Sequence, residues 1–379
     1  MSTETIPFAK GLEGVIAAES KICKVDGVKG DLSYYGYSIF DLSESATYEE
    51  VAYLLLYGKL PNEKELREFL ILAKRYRKLE PSVLTIQKYL AKNTHPMKAL
   101  QSSYAALGGI WDSTYKEKFI ETLIGYIEQT PLLVASHYRI MKQQEVITPD
   151  PQLSFSGNFL YMLSGKKPPK EEEKIFDKIL ILHMEHSLNA STFTARVVAS
   201  SLPPVSSVIS AATGSLFGPL HGGANEKVLK MIDEIGSVEN VEKWIDGAIA
   251  RKKKISGMGH RVYKVKDPRA TILQKSLKAF AKDELSKKRL IISEKLEEYF
   301  VTRMTEKGKQ IYPNVDFYSG ILLNSIGIDP ILFTPIFAIA RVSGWAAHVR
   351  EQWEDNRIFR PKALYIGEEG KKYIPITQR

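Results

Sequence analysis

Apolar residues along this chain recur mostly three and four positions apart, as in Val51, Leu54 and Leu55 with the following Tyr57, or Ile175, Ile179, Leu182 and His186. That spacing lines one face of an α-helix, and it predicts a nearly all-helical protein. Runs that alternate apolar and polar residues are scarce. The best is Cys23 to Phe40, where Gly27, Gly30 and Gly36 punctuate β-branched and aromatic residues, so a small sheet is expected there and parallel βαβ architecture has no support. Breakers divide the rest: Gly58 to Pro61, Pro81, His95-Pro96, Pro131, Pro149 to Pro151, Gly165 to Pro169, Pro203-Pro204, Gly214 to Gly223, Gly257 to Gly259, Pro313 and Asp329-Pro330. Helices of roughly 10 to 20 residues fit between them. No internal repeat, heptad seam or low-complexity linker is present, so a second domain is expected as an insertion packed on the first. The glycine-rich stretch 214–223 and the loop from Gly327 to Pro330 are the hinge candidates that bracket it.

Composition narrows the class. With 379 residues, 44% hydrophobic and 26% charged, the chain can bury a large core, which excludes disordered and collagen-like readings. Cys23 is the single cysteine, so no intramolecular disulfide can form and a reducing, cytoplasmic setting is expected. The opening MSTETIPFAKGLEG has Glu4 and no continuous apolar region, unlike a signal peptide. The most apolar stretch, Ile331 to Ala340, is half the roughly 20 residues of a membrane span and contains Pro335, so no membrane is expected. A net charge of +9 favours anionic partners. The basic runs Arg251 to Lys254 and Lys287 to Arg289 are short and read as solvated helix faces, so no nucleic acid is expected.

Familiar phosphate motifs fail. The GKK at Gly165 lacks the earlier glycine and the following Ser or Thr of a phosphate loop, and Val262 stands where the third glycine of a dinucleotide fingerprint would follow Gly257 and Gly259. His183 and His186 lie three apart on a predicted helix, a spacing that suits either a shared metal or one core histidine. Three other segments gather titratable groups among glycines. In residues 214–236, His221 precedes Gly222 and Gly223 and an amphipathic run, which places it at a helix N-terminus; the helix dipole would keep the ring neutral and fit to donate to a developing oxyanion. In residues 255–270, His260 follows small residues and precedes Lys264, Lys266 and Arg269, the makings of an anion site. In residues 312–323, Asp316 lies between a proline turn and an apolar segment, where a partly buried carboxylate could serve as a base. Singly, each has a structural reading as well: a cap for His221, a surface histidine for His260, an N-cap for Asp316.

Together these segments resemble the citrate synthase family almost from end to end. The motifs are HxxHSLNAST (183–192), GPLHGGANE (218–226), GMGHRVYKVKDPRA (257–270), NVDFYSG (314–320) and FRP (359–361), in the family's order. The resemblance implies a mainly α, two-domain fold: a large helical domain (1–222 and 326–379, with the C-terminal tail) carrying an inserted smaller helical domain (223–325) that closes over bound substrate. It also implies the short form, which starts at the family's common core without the N-terminal β-rich segment of the large NADH-regulated bacterial form. The implied reaction condenses acetyl-CoA with oxaloacetate and hydrolyses the thioester to citrate and CoA, with no metal and no cofactor. In that reaction Asp316 would remove the methyl proton, His221 would stabilise the enolate, and His260 would polarise the ketone and protonate the alkoxide. The resemblance gives oxaloacetate to His186, Arg269, Arg341 and Arg360, the last reaching the partner's site in a homodimer. It gives CoA to the backbone around Ile255, Gly257, Met258 and Gly259, with Lys264 and Lys266 for phosphates. The same groups would serve a 2-methylcitrate synthase using propionyl-CoA. An inactive homologue acting as a basic binding protein would be expected to have lost a catalytic group, and His221, His260 and Asp316 are all present.

Overall fold

The computed structural model describes residues 8–91, 93–111 and 118–379; Glu4 of the opening segment lies outside them. The expected small sheet forms within Cys23 to Phe40. Strands β1 (Cys23–Asp26), β2 (Asp31–Tyr34) and β3 (Tyr37–Ser38) pair antiparallel in the order β1-β2-β3, with Cys23 opposite Tyr34 and Tyr34 opposite Tyr37. The carboxylate of Asp26 accepts the amides of Val28 and Lys29 and so closes the first turn. That turn docks on the later glycine loop, since the Lys264 amide donates to the Gly27 carbonyl (2.8 Å).

Helices make up most of the remainder. The first group is α1 (Ile39–Ser45), α2 (Tyr48–Tyr57), α3 (Glu63–Lys74), α4 (Pro81–Leu90), α5 (Pro96–Trp111), α6 (Phe119–Met141), α7 (Phe155–Ser164) and α8 (Lys170–His183). There follow α9 (Ala190–Ala199), α10 (Val205–Leu216), α11 (Ala224–Ile235), α12 (Val241–Ala250), α13 (Pro268–Phe280), α14 (Glu284–Thr305), α15 (Asp316–Ser325) and α16 (Phe333–Glu354). Local chemistry sets many of their ends. Thr47 with Glu50 and Asn62 with Glu65 form capping boxes at α2 and α3, while Pro81 takes the first turn of α4, where its missing N–H is not needed.

Two expectations need correction. Pro131 does not break the chain but lies inside α6, whose residues from Thr122 to His137 are all buried. Burial on every side, against α5, α7 and α16 among others, outweighs the loss of one backbone hydrogen bond. The helical spacing 175, 179, 182, 186 also overshoots, because α8 ends at His183 and His186 lies beyond it. Side chains take the carbonyls at that end: Tyr34 Oη donates to those of Ile181 and Glu185, and Arg341 Nε to that of His183 (2.8 Å).

Helix α16 is the axis of the core, buried continuously from Phe333 to Val349 and packed against α2, α6, α8 and α9. It is long and apolar enough to cross a membrane by length and composition, and 89% of its most apolar window is buried inside the protein. The sequence expectation saw only its first half, Ile331 to Ala340. On one side of this core α11, α12, α13, α14 and α15 pack chiefly on one another.

Candidate active site

The site draws on four segments: those that follow α8 and α10, the loop 257–266, and the turn that opens α15. Loop 257–266 and the segment 312–316 are zipped together by backbone hydrogen bonds, Gly259 N–H to Tyr312 O (2.8 Å) and Asn314 N–H to Gly257 O (2.9 Å), and by Asn314 Nδ2 donating to Gly259 O (2.8 Å). Gly257 sits at φ +75°, and a Cβ there would fall 2.7 Å from Val228 and 2.9 Å from the Cα of Phe317. Only glycine meets both demands. Gly257→Ala is therefore expected to lower thermal stability by about 1–3 kcal/mol and to reduce turnover at least as much as it reduces stability. Comparing melting curves with kcat checks this, because the displaced segment carries Asp316.

Asp316 opens α15 and is 8% exposed, its backbone amide donating to Asn314 Oδ1 (3.0 Å). Its carboxylate Oδ1 is buried with no hydrogen-bond partner. Burial raises its pKa to about 7, against the opposing pull of Arg269 and Arg341. It is thus a poised base, one of the few carboxyl groups whose environment makes proton exchange near neutrality feasible.

His221 is held differently from the sequence expectation. Helix α11 begins at Ala224, and the His221 ring is engaged instead by the first turn of α9, where the Ser191 amide donates to Nε2 (3.2 Å) and the Ser191 hydroxyl lies 2.8 Å from the same atom. The acceptor role of Nε2 leaves the proton on Nδ1. Burial first, then the charge of Arg341, pushes the ring pKa down to about 4 and keeps the ring neutral.

His260 is fixed in the opposite tautomer. Its Nδ1 accepts the amides of Val262 (3.0 Å) and Tyr263 (3.2 Å), which leaves Nε2–H as donor, and burial again brings its pKa to about 4. Edge-on packing joins His186 to His260 (5.1 Å between ring centres) and to Tyr263 (5.5 Å), while the His260 and Tyr263 rings meet at a tilt of 43°. His186 Nε2 lies 3.2 Å from the Tyr263 hydroxyl, and burial with Arg269 beside it keeps its pKa far below the ordinary value. Tyr263 was not singled out from the sequence, although it stands inside the GHRVYK motif that could have pointed to it.

Two buried guanidiniums complete the cluster. Arg269, at the start of α13, is gripped by Asp267 through Nε (3.0 Å) and Nη2 (2.7 Å), a pairing the sequence did not expose. Arg341 on α16 is 1% exposed, lies over the Phe337 ring (4.9 Å) and donates through Nε to the His183 carbonyl. Among the described residues its Nη nitrogens make no hydrogen bond to the protein. His183 Nδ1 donates to the Ile179 carbonyl (2.8 Å), and no group of three or more ligating side chains occurs among the described residues.

Several sequence-predicted residues lie elsewhere or are otherwise engaged. Arg360 is exposed, donates to the Pro361 carbonyl (2.8 Å) and lines an open cavity of about 1020 Å³ with the 12–21 segment and the end of α16. None of the histidines, nor Asp316, lines that cavity. Lys266 does not stand free for phosphate: its ammonium pairs with Glu297 (2.6 Å) and Gln274 (2.6 Å) over the Tyr318 ring. The backbone of Ile255 to Gly259 is largely turned inward, with Met258 bridged to Pro313 and the Ile255 carbonyl accepting the Met258 amide. The Lys264 side chain is exposed and free of ion pairs among the described residues.

A carboxyl group that titrates near neutrality, beside neutral N–H donors and buried cations, can take a proton from carbon next to a carbonyl while holding an anionic partner. The class so defined is a helical acyltransferase that forms its bond at carbon. The family model for the citrate synthase C-terminal domain matches residues 11–362. A citrate synthase of Synechocystis is 45% identical over 386 aligned residues, covering 100% of this chain and 96% of that protein. The crystal structure of citrate synthase from Pyrobaculum aerophilum superposes with a TM-score of 0.92 at 39% identity, covering 100% of this chain and 97% of that one. The Thermoplasma acidophilum citrate synthase, solved as a ternary complex with carboxymethyl coenzyme A and oxaloacetate, gives a TM-score of 0.93 at 35% identity, covering 98% of this chain and 100% of that one. The chain belongs to the citrate synthase family.

Proposed function

We propose that this site condenses acetyl-CoA with oxaloacetate and hydrolyses the resulting thioester to citrate and free CoA. The observation that carries the reading is the buried, unpartnered Asp316 oxygen with a pKa of about 7, within the field of the Arg269 and Arg341 guanidiniums. Asp316 takes the methyl proton of acetyl-CoA, and His221 Nδ1–H donates to the thioester oxygen as the enolate forms. The new carbon attacks the ketone of oxaloacetate, whose oxygen is polarised and protonated by His260 Nε2–H. Water then cleaves the thioester and CoA leaves as its thiol.

Arg341, with its Nη nitrogens open, is the principal carboxylate receptor; Arg269, already forked by Asp267, has fewer free donors for the second contact. His186 adds an N–H at the same anion. Residues 223–325 act as a smaller domain that closes on the oxaloacetate complex and shields the thioester from water, with hinges at 214–223 and 327–330. Arg360 reaches the site of a second copy in a homodimer, a role consistent with its exposed position on the extended tail. Lys264 remains the better phosphate partner of the two lysines. The proton transfers of the condensation fall to protein side chains, acetyl-CoA is a substrate, and a single cysteine, which cannot form an intramolecular disulfide, fits a cytoplasmic setting.

The test is release of free thiol from acetyl-CoA with and without oxaloacetate, repeated with propionyl-CoA. One methylene in an acyl pocket is worth about 1–3 kcal/mol, so the ratio of specificity constants decides between citrate and 2-methylcitrate synthesis. Acetyl preference supports the reading, propionyl preference moves it to the methylcitrate reaction, and no release from folded dimer leaves a binding protein. The shared site has its own prediction. Mixed and exchanged subunits of Arg360→Ala and Asp316→Asn are expected to regain about a quarter of wild-type activity, because about half of all the dimers are heterodimers and each heterodimer carries one intact site of two. Absence of recovery after verified exchange places both residues in one subunit's site.

A further inference from the structure

Arg341 poses an electrostatic question. It is a buried cation with no direct ion pair among the described residues, and burial pulls its pKa down while Glu185 is the charge that most strongly holds it up. Glu185 is itself 0% exposed, directly precedes His186, and makes no ion pair with Arg341. One of its oxygens, Oε1, accepts from His348 Nε2 (3.0 Å), whereas Oε2 is buried without a partner.

The geometry of α16 explains how these groups meet. Arg341, Gly344 and His348 fall on one stripe of the helix at steps of three and four residues. Arg341 holds the His183 carbonyl, and a Cβ on Gly344 would fall 2.2 Å from the Met184 carbonyl oxygen and 2.5 Å from Glu185 Oε2. The carboxylate therefore lies over Gly344, with the guanidinium one turn before it and the imidazole one turn after it. The imidazole is locked as a donor: Arg196 Nη1 donates to His348 Nδ1 (3.2 Å), so the ring proton sits on Nε2. Arg196 is in turn held by Glu351 (2.6 Å) and Gln352 (3.1 Å).

We propose that His348 is a positioning residue for oxaloacetate binding: its Nε2–H draws the Glu185 carboxylate away from Arg341 and keeps that guanidinium open to the substrate. Opposite charges attract strongly when both are buried, and a rotamer change of Glu185 is the movement that would pair it with the guanidinium one helical turn from Gly344. With the imidazole gone, Glu185 occupies the Nη face of Arg341 and competes with the incoming carboxylate. Glu185 thus serves as a counter-charge held at a distance, which keeps Arg341 solvated by charge without blocking it. This role rests on the proposed use of Arg341 for oxaloacetate.

The test is a double-mutant series of His348→Ala, Glu185→Gln and both together, with His348→Gln as the variant that keeps an N–H donor. His348→Ala is expected to raise KM for oxaloacetate about tenfold or more, with kcat within about threefold of wild type. Adding Glu185→Gln, which removes the competing charge, is expected to bring KM back to within about threefold, and His348→Gln is expected to stay near wild type. A merely structural loss would not be repaired by a second buried substitution. A double variant as impaired as His348→Ala, or an unchanged KM in His348→Ala, overturns the role. Should His348→Ala not fold, Glu185→Gln alone decides: binding at least as tight as wild type supports the role, and a tenfold weaker KM overturns it. The oxaloacetate-induced rise in melting temperature reads binding without turnover. A wild-type protein with neither that rise nor oxaloacetate-dependent thiol release overturns the functional reading itself, and this role with it.

Discussion

An Asp316→Asn variant is expected to lose about 10³-fold or more in kcat while binding oxaloacetate with nearly wild-type affinity. The reason is specific to the environment of this carboxyl. Oδ1 has no hydrogen-bond partner and the group is buried, so the near-isosteric amide leaves packing intact and removes only the ability to take a proton. Stopped enolisation is read as lost thiol release, and binding as the thermal shift with oxaloacetate. In the wild type, kcat/KM for acetyl-CoA should fall about tenfold per pH unit below about pH 7, the value to which burial raises this group. The acid limb should not come from His221 or His260, whose pKa values of about 4 keep them neutral well below that point.

The same shift makes a stability prediction with a definite sign. The folded pKa of Asp316 exceeds its unfolded value of 3.8, so between these values the folded state binds the proton more tightly. The stabilisation is complete below the unfolded value and is lost as pH rises through about 7. Asp316→Asn lacks that loss, and its melting temperature relative to wild type should increase from pH 5 to pH 8. A variant that is inactive yet shows no such crossover would have failed through misfolding rather than through the missing base.

His221→Ala should follow with a loss of about 10²- to 10³-fold in kcat and little change in KM for oxaloacetate, the size expected for removing one oxyanion donor. The ring offers Nδ1–H because a backbone amide of α9 occupies Nε2, so its tautomer is set by main chain that no side-chain replacement alters. Steady-state kinetics on a folded variant checks it. A loss in oxaloacetate KM with kcat retained would move His221 from the thioester to the other substrate.

How much of this was readable in advance differs from residue to residue. The sheet in Cys23 to Phe40 was legible because alternation and glycine punctuation are local, and the helices were legible because their apolar spacing is. Pro131 was misjudged: its effect depends on the burial of the whole of α6, which no local window reports. His186 was placed on a helix because the spacing continues through it, whereas α8 ends where Tyr34 and Arg341, distant in sequence, take its carbonyls. Lys266 looked free in a basic loop and is paired with Glu297 on another helix.

Periodicity and motif order are properties of the chain alone, and they disclose the helical class, the family motifs and the titratable groups at 186, 221, 260, 269, 316 and 341. The states of those groups come from the folded molecule. It gave Nδ1–H to His221 and Nε2–H to His260, joined Arg269 to Asp267, and set Glu185 between Arg341 and His348. Tautomer, burial and counter-charge are fixed by atoms a few ångströms away in space, and those atoms come from residues up to 163 positions away along the chain.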